Sequence, residues 1–326
     1  MVNTNQIFNI TSNVEFKNVA LQVFKYQFEN NVVYRSFCDL LYVHPSTVNT
    51  IAEIPFLPIS FFKTHKIVSN SNAVSQVFSS SGTTGSIKSK HFVTNTSIYK
   101  SSFQKGFQQF FGSISNYTIL ALLPNYLERN DSSLVYMVKN LIDASKQPDS
   151  GFYLDNLLEL KETLIRLDKA GKKVLLIGVS FALLDLVENH TFQLNHTIVM
   201  ETGGMKGRRK ELIREELHDI LKKGFGVAKI HSEYGMTELL SQAYSLGDGV
   251  FECPKWMQVF TRETEDALVL QASGKTGGLN IIDLVNINSC SFIATQDLGK
   301  VNTNGTFNVL GRFDTSDIRG CNLMVI

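Results

Sequence analysis

The most unusual segment of this 326-residue chain has the composition of an anion-binding loop. Residues 79–88 read SSSGTTGSIK, so hydroxyl side chains surround Gly82 and Gly85, and Lys88 closes the segment. Glycine lets the backbone approach an oxyanion closely, backbone N–H groups and hydroxyls can donate to it, and lysine adds a point charge suited to phosphate. The spacing does not fit the Walker A loop, because Ile87 stands where the second glycine belongs. On residue types alone, a phosphate site and a flexible surface loop remain equally open.

Three later segments carry side chains of the kinds that bind nucleotides and metal ions. They read EYGMTE at residues 233–238, TQDLG at 295–299 and GRFD at 311–314. A carboxylate can accept from ribose hydroxyls or bind Mg²⁺, and an arginine can contact phosphate. Taken singly, Asp297 is better explained as a turn carboxylate and Arg312 as the partner in a surface ion pair. Only the ordered set of segments points to a nucleotide site.

In this order, the four segments resemble the signatures of the acyl-adenylate-forming enzymes, S-[ST]-G-T-T-G-x-x-K, Y-G-x-T-E, [TG]-x-D-L-G and G-R-x-D. Two further stretches are similar to the LuxE branch of that superfamily, the acyl-protein synthetases. They read LPNYLERNDSSLVYMV at residues 123–138 and SDIRGCNLM at 316–324. The resemblance extends from about Pro55 onward. It implies ATP-dependent activation of a carboxylic acid as acyl-AMP, with ATP and Mg²⁺ as cofactors.

The resemblance also assigns roles to individual residues. Hydroxyls of the loop and Lys88 hold the β- and γ-phosphates, Thr237 bonds the α-phosphate and Glu238 binds Mg²⁺. Tyr234 stacks on adenine, Asp297 accepts from both ribose hydroxyls and Arg312 reaches the ribose or a phosphate. The expected nucleotide-binding set is Ser80, Ser81, Gly82, Thr83, Thr84, Gly85, Lys88, Gly203, Gly204, Tyr234, Gly235, Thr237, Asp297 and Arg312. The expected catalytic set is Lys88, Thr237, Glu238 and Cys321.

Cys321 is the candidate acyl acceptor, because LuxE-family proteins carry a cysteine near the C-terminus that receives the acyl group as a thioester. It follows Gly320 and lies two residues from Arg319, and a nearby guanidinium favours the nucleophilic thiolate. An ordinary thiol in a frayed tail is the open alternative. Cys38 and Cys290 are expected to lie in the core.

The leading hypothesis is therefore an acyl-protein synthetase that acts on a carboxylic acid, a fatty acid by resemblance, and passes the acyl group to a partner protein, a reductase or a carrier. A carboxylate–CoA ligase shares the first half-reaction and is the first alternative. It is disfavoured because such ligases continue past G-R-x-D into a mobile lid domain with a catalytic lysine, and only fourteen residues follow Arg312 here. A non-catalytic nucleotide-binding module is the second alternative.

Composition excludes several other classes. Lys and Arg number 31 against 30 Asp and Glu, and this balance argues against a nucleic-acid-binding surface. The four cysteines are too few and too scattered for a disulfide framework. The N-terminus does not resemble a signal peptide, and the longest apolar stretch, residues 174–187, is too short to span a bilayer. A cytoplasmic protein without an integral membrane segment is expected.

Hydrophobic periodicity supplies the elements that position these residues. Core-facing helices are predicted from Phe16, over 32–42, from Thr96 and over 212–221 with Gly224 as C-cap; buried strands are predicted at 118–124, 173–179 and 197–200, the last followed by a turn at 201–204. His91 and His231 are expected to be structural, and residues 178–180 to border the acyl site. The expected architecture is α/β, of the adenylate-forming large-domain type without the lid. It is divided into an N-terminal helical segment (1–75), an α/β core (76–243) and a β-rich part with the acceptor tail (244–326).

Overall fold

A computed structural model describes residues 3–81, 87–124, 131–153, 156–203 and 212–313. The chain forms two compact units. Residues 1–72 and 255–326 make up the first, here called the terminal unit because both chain ends belong to it. Residues 73–254 make up the second, the central unit.

The central unit is built on a mostly parallel sheet. The strands are β4 (Thr118–Leu122), β5 (Gly151–Phe152), β6 (Val174–Val179), β7 (Thr197–Thr202), β8 (His231–Tyr234), β9 (Ala243–Ser245) and β10 (Val250–Glu252). Their order in the sheet is β10-β9-β8-β7-β6-β4-β5. Strands β4 to β8 run parallel to one another, and β9 and β10 are antiparallel additions. A separate antiparallel hairpin joins β2 (Gln76–Ser79) to β3 (Lys90–Val93).

Helices connect these strands and supply apolar faces to the sheet. They are α5 (Thr96–Phe111), α6 (Ser133–Ser145), α7 (Leu157–Lys169), α8 (Ser180–Asn189) and α9 (Arg214–Phe225). Strands β4 and β6 are buried at every position, as expected for parallel strands covered on both faces. The expected strands and the helix from Thr96 are thus confirmed, but β7 continues through Glu201 and Thr202, which were expected to lie in the turn after it.

The predicted C-cap of α9 is wrong. The helix continues through Gly224 and ends at Phe225, and Gly226 is the cap with a positive φ of 66°. Gly224 is required for packing, because a Cβ at this position would collide with the side chain of Val187 on α8. The glycine therefore lets α8 and α9 pack closely, and glycine at Gly226 meets the left-handed conformation of the cap.

The terminal unit contains an antiparallel meander. Its strands are β11 (Met257–Arg262), β12 (Thr276–Asp283), β13 (Phe292–Val301) and β14 (Phe307–Arg312), and β1 (Leu57–Pro58) pairs with them. The order is β11-β12-β13-β14, with β1 parallel to β13. The helices are α1 (Thr4–Phe8), α2 (Asn13–Asn30), α3 (Val32–Leu40) and α4 (Phe61–Thr64). The expected N-terminal helices and the β-rich C-terminal part are confirmed.

A buried glutamine ties α2 to the segment between β12 and β13. The side-chain amide of Gln27 donates to the carbonyls of Asn286 (2.9 Å) and Ile287 (3.0 Å), and its oxygen accepts from the backbone N–H of Ser291 (3.0 Å). Gln27 is fully buried. Hydrogen bonds of this kind satisfy backbone groups that would otherwise be buried without partners, so they fix the position of α2 in the terminal unit.

None of the helices in the described ranges combines the length and the apolar character needed to cross a membrane.

Candidate active site

The phosphate-loop segment connects β2 to β3, and its base is closed by a pair of serines. The backbone N–H of Ser80 donates to the carbonyl of Ser89 (3.0 Å), and the Ser80 hydroxyl accepts from the N–H of Ser89 (3.0 Å). Ser81 and Lys88 are both exposed beside this base. Gly82, Thr83, Thr84 and Gly85 lie outside the described residues. The hairpin therefore presents Lys88 to solvent next to the predicted glycine turn.

The ends of β7 and β8 bring several predicted site residues to one sheet edge. The two strands are parallel neighbours, and Thr202 pairs with Glu233. Gly203 follows β7, and the turn after β8 carries Gly235, Thr237 and Glu238. The carboxyl edge of a parallel sheet is where α/β proteins bind ligands. Gly204 lies outside the described residues.

Tyr234 and Glu238 are largely buried at this edge. Tyr234 is 9% exposed, and its ring packs edge-on against Phe251 with centroids 5.9 Å apart. Glu238 is 6% exposed. Thr237 and Gly235 are more open to solvent. The turn therefore offers an open backbone and hydroxyl beside a carboxylate that is largely shielded from water.

His91 connects the hairpin to this turn. It is completely buried on β3, and its Nδ1 lies 2.9 Å from the carbonyl oxygen of Thr237. Burial lowers the pKa of His91 to about 4, although the Thr237 carbonyl opposes this decrease. The ring is therefore neutral at pH 7, and Nδ1 must carry the proton, because a carbonyl can only accept. His91 thus has a structural role, as the sequence predicts, and it fulfils this role by holding the backbone of Thr237 in place.

An ionised carboxylate lies at the end of β7. Glu201 is 6% exposed on its side chain, and Arg214 Nη1 donates to its Oε1 at 2.5 Å. The Ser180 hydroxyl lies 3.3 Å from Glu201 Oε2 and donates to the carbonyl of Gly203 at 2.7 Å. Burial alone would raise the pKa of Glu201, but His218 and the charge of Arg214 outweigh it and hold the pKa below its usual value. The network anchors the turn that contains Gly203.

A second carboxyl group, Glu233, lies at the end of β8 in very different surroundings. It accepts from the Thr202 hydroxyl, and its Oε1 occupies the space that a Cβ on Gly235 would need. Among the described residues, no cation forms an ion pair with it. Burial raises the pKa of Glu233 to about 7, the Thr202 hydrogen bond opposes this increase and the charge of Glu201 adds to it. Two neighbouring glutamates therefore differ in charge state near neutral pH.

We expect Glu233→Gln to change how the stability of the protein depends on pH. In the unfolded chain the carboxyl ionises near pH 4.5, whereas in the folded chain it stays protonated until about pH 7. The stabilisation by the bound proton is therefore complete below pH 4.5 and is lost as the pH rises to 7. Relative to the parent, Glu233→Gln should gain at least about 1 kcal/mol between pH 5 and pH 7.5 in urea unfolding. If the free energy of unfolding depends on pH in the same way in Glu233→Gln and in the parent, this prediction is wrong. Glu252→Gln, at an exposed position of β10, is the control.

In the terminal unit, Asp297 lies where β13 bulges away from β12. Gly278 pairs with Leu298 and Asn280 pairs with Ala294, so one residue of β12 faces the three residues 295–297. Asp297 pairs with Arg312 on β14, and their Oδ1 and Nε atoms are 3.5 Å apart. The Arg312 side chain is 82% exposed, against 12% for Asp297. A bulge of this kind redirects a side chain, and bulges are common at functional sites.

Arg262 is a half-buried cation beside this bulge, and sequence reasoning missed it. Its Nη1 donates to the carbonyl of Leu279 (3.0 Å), and its Nη2 donates to that of Thr295 (2.6 Å). Burial lowers the pKa of Arg262, and the charge of Asp297 counters this decrease. The only signal in the sequence is Gly277-Gly278, since a side chain at Gly278 would collide with the guanidinium.

The predicted site residues thus fall into three sets. The central unit brings together Gly203, Tyr234, Gly235, Thr237 and Glu238 at the ends of β7 and β8, with Ser80, Ser81 and Lys88 on the hairpin that His91 joins to them. The terminal unit pairs Asp297 with Arg312. Cys321 lies outside the described residues, as do the loop residues 82–85 and Gly204. His91, Glu201, Arg214, Glu233 and Arg262 are the supporting groups that the structure adds.

The fold is similar to that of solved adenylate-forming ligases. A 2-hydroxyisobutyryl-CoA ligase in the postadenylation state matches with a TM-score of 0.68 and 11% identity, over 92% of this chain and 68% of that one. ATP-bound MatB from Rhodopseudomonas palustris matches with a TM-score of 0.53 and 16% identity over 72% of this chain. The chain spans about half the length of MatB, 47%. These similarities show the fold alone.

Sequence comparison identifies the family. The family model described as "Acyl-protein synthetase, LuxE" matches residues 9–326. A long-chain-fatty-acid–luciferin-component ligase from Vibrio harveyi is 25% identical, over 92% of this chain and 84% of that protein. The family match spans every motif that the sequence analysis singled out. The chain therefore belongs to the LuxE family of acyl-protein synthetases, enzymes of the acyl-adenylate-forming ligase type.

Proposed function

We propose that this enzyme uses ATP to activate a fatty acid as acyl-AMP and then transfers the acyl group to a protein thiol, first Cys321 and then an acceptor protein. The observation that carries this proposal is the family match over residues 9–326, which includes the four nucleotide motifs and the C-terminal cysteine. The fatty-acid substrate follows the name of the Vibrio harveyi relative. Use of ATP and of a reduced thiol is consistent with a cytoplasmic setting.

In the first step a carboxylate oxygen of the acid attacks the α-phosphorus of ATP, the bond to the β-phosphate oxygen breaks, and pyrophosphate leaves. The reaction brings together two anions, so the site must disperse negative charge. Lys88 supplies a cation on the hairpin, and the Thr237 hydroxyl donates to the α-phosphate. His91 supports that step indirectly, because it fixes the Thr237 carbonyl and with it the turn. Tyr234 and the backbone at Gly203 are assigned to the adenine, and Asp297 and Arg312 to the ribose.

Glu238 is the residue proposed to hold Mg²⁺. Among the described residues, no group of three His, Cys, Asp or Glu side chains is arranged to hold a metal ion. A single carboxylate is enough for the proposed role, because Mg²⁺ is commonly bound by one or two carboxylates together with substrate phosphates. When bound, the ion neutralises charge on the phosphates.

In the second step the Cys321 thiolate attacks the acyl carbonyl carbon. The bond from that carbon to the AMP oxygen breaks, AMP leaves and a thioester forms. A second thiol on the acceptor protein then takes the acyl group by thioester exchange and returns the Cys321 thiol. The acceptor is a protein with an accessible nucleophilic thiol, a reductase or a carrier.

The test is acid-dependent exchange of pyrophosphate into ATP by the full chain with Mg²⁺ and straight-chain acids from two to sixteen carbons. We expect exchange with long-chain acids and a loss of about 10- to 10²-fold in Lys88→Ala, since a hydrogen bond to a charged group is worth about 1.5–3 kcal/mol. Lys90→Ala is the matched control, because Lys90 is an exposed lysine of the same hairpin. Binding of ATP without exchange for any acid would support a non-catalytic module instead. Exchange that survives Lys88→Ala together with Asp297→Ala would refute the assigned site.

A further inference from the structure

Arg262 occupies a position where a charged side chain is costly. Burial lowers its pKa, so the surroundings by themselves disfavour the guanidinium ion. A guanidinium persists in such surroundings where its N–H groups are matched by acceptors, because a donor that is removed from water without a partner is destabilising. The acceptors around Arg262 are therefore informative about its role.

The side chain bridges three strands. Arg262 ends β11 and pairs with Gly278 on β12. Its Cζ lies 2.5 Å from where a Cβ on Gly278 would stand, so the guanidinium lies directly over that glycine. Beyond the glycine its Nη2 reaches the carbonyl of Thr295 on β13 at 2.6 Å. The absence of a side chain at Gly278 thus opens the path from β11 to β13.

The three residues opposite Leu279 are held apart from β12 by this guanidinium. Nη1 bonds both the Leu279 carbonyl (3.0 Å) and Asn280 Oδ1 (2.8 Å) on the β12 side. The Thr295 hydroxyl donates to the same Leu279 carbonyl (2.8 Å) and accepts from the backbone N–H of Asp297 (3.1 Å). Arg262 and Thr295 together satisfy the backbone groups that the bulge leaves without ladder partners. This network of hydrogen bonds extends to the backbone N–H of Asp297.

Phe313 fixes the bulge from the side opposite to β12. The N–H of Phe313 donates to the carbonyl of Gln296 at 2.7 Å. The Phe313 ring lies under the Arg262 guanidinium, with 5.7 Å between Cζ and the ring centroid. A cation above an aromatic face is attracted by the ring, and the contact fixes the plane of the guanidinium. Arg262 is thus held from both sides of the bulge.

We propose that Arg262 is a positioning residue for nucleotide recognition: it holds the bulge at residues 295–297 in the shape that directs Asp297 toward the ribose hydroxyls. This inference rests on the proposed function, in which Asp297 accepts from those hydroxyls. Lysine cannot replace Arg262, because a single ammonium cannot span the carbonyls of Leu279 and Thr295 with the planar fork of a guanidinium. Without Arg262, the Asp297 carboxylate is still present but is no longer directed toward the ribose hydroxyls.

The experiment compares ATP with 2′-deoxy-ATP and 3′-deoxy-ATP in acid-dependent pyrophosphate exchange. For the parent, kcat/KM should favour ATP over each analogue on the order of 10²-fold, since a hydrogen bond to a charged acceptor is worth about 1.5–3 kcal/mol. Asp297→Ala should remove most of this preference. Arg262→Met and Arg262→Lys should each reduce it about tenfold, and adding Asp297→Ala to Arg262→Met should reduce it no further than Asp297→Ala alone.

Two controls separate positioning from general damage. Gly278→Ala leaves the arginine in place but puts a methyl group where the guanidinium lies, so it should reduce the ribose preference as Arg262→Met does. Lys300→Met removes an exposed cation from β13 and should leave the preference unchanged. If Arg262→Met does not fold, Arg262→Lys and Gly278→Ala carry the test.

A merely structural role predicts a different result. Variants of Arg262 would then lose activity equally with ATP and with both deoxy analogues, and this outcome would overturn the inference. Failure of the proposed function has its own signature, which is no acid-dependent exchange in the parent, or a ribose preference that survives Asp297→Ala. The two failures are therefore distinguishable.

Discussion

Replacing Cys321 by serine should abolish the covalent acyl-enzyme while acid-dependent pyrophosphate exchange stays within about twofold of the parent. The thiolate is a strong nucleophile at neutral pH, whereas a serine hydroxyl needs an adjacent general base to react. Adenylation precedes the thiol step in the proposed reaction, so the first half-reaction does not need Cys321. The measurement is intact-protein mass spectrometry after incubation with ATP, Mg²⁺ and a long-chain acid, alongside the exchange assay.

Two of the other cysteines, Cys38 and Cys290, are poor competitors for the acyl group. Cys38 and Cys290 are completely buried, as the sequence predicts. Burial raises the pKa of Cys38 to about 12 and that of Cys290 also well above its usual value, so both remain neutral thiols at pH 7. Cys253 is half-buried in the central unit. Cys253→Ser is therefore the matched control, and it should keep the full adduct.

The number of residues after Arg312 limits how far from Arg312 the Cys321 thiol can lie. Arg312 ends β14 beside Asp297, and nine residues lead from it to Cys321. An extended chain covers at most ~3.3–3.6 Å per residue, so the thiol can lie up to roughly 30 Å from Arg312. An adduct that persists in Cys321→Ser and disappears in Cys253→Ser would move the acceptor role to Cys253. Absence of any adduct in the parent, with free acyl-CoA formed when CoA is added, would favour the ligase alternative.

Local sequence pattern predicts most of the helices and strands, and it locates the motifs along the chain. Continuous apolar runs marked β4 and β6, and helical periodicity marked α2 and α5, because these signals depend on neighbours within one element. The motif residues were found for a similar reason, since each motif lies within a short stretch of chain. The misplaced cap of α9 shows the limit: Gly224 and Gly226 are alike in sequence, and only packing against Val187 separates their roles.

The supporting groups were not predictable in this way, because each acts on a residue far away in sequence. His91 bonds Thr237 from 146 residues away, and Arg262 bonds Thr295 from 33. The terminal unit joins residues 1–72 to residues after 254, and no local signal marks this association. Glu233 illustrates the same point for charge. Its sequence neighbours do not show that Glu201 is adjacent, or that Arg214 pairs with Glu201 while no cation of the described residues pairs with Glu233.

Arg214→Met is expected to have the largest effect on stability. Arg214 begins α9, and its guanidinium bonds Glu201 and the Ser232 hydroxyl and lies over the ring of Phe251 at 5.0 Å. Removing it leaves the Glu201 carboxylate buried at 6% exposure with its main counter-charge lost. Breaking a buried ion pair from one side costs about 3–5 kcal/mol, and the 27% exposure of Arg214 places this case near the lower end. Urea unfolding should therefore show a loss of about 3 kcal/mol at pH 7.

Far-UV circular dichroism is the suitable probe, because the single tryptophan, Trp256, belongs to the terminal unit. Lys222→Met is the matched control on the same helix. Lys222 pairs with Asp219 at 2.7 Å, but with 37% and 62% of the two side chains exposed, and such surface pairs contribute about 0–1 kcal/mol. Similar losses in the two variants would contradict the idea that Arg214 neutralises a buried charge.

The pH dependence and a second substitution identify the cause of the loss. In the parent the pKa of Glu201 lies below 4.5, so the ion pair contributes stability above pH 4.5 and loses it as the pH falls through the folded value. In Arg214→Met the carboxyl takes up a proton more readily, so the difference from the parent should shrink as the pH falls from 7 toward 4.5. Adding Glu201→Gln should restore at least about 1 kcal/mol at pH 7, because an amide requires no counter-charge. If the losses of the two single substitutions simply add, the effect of Arg214 comes from packing against Phe251 and not from the charge of Glu201.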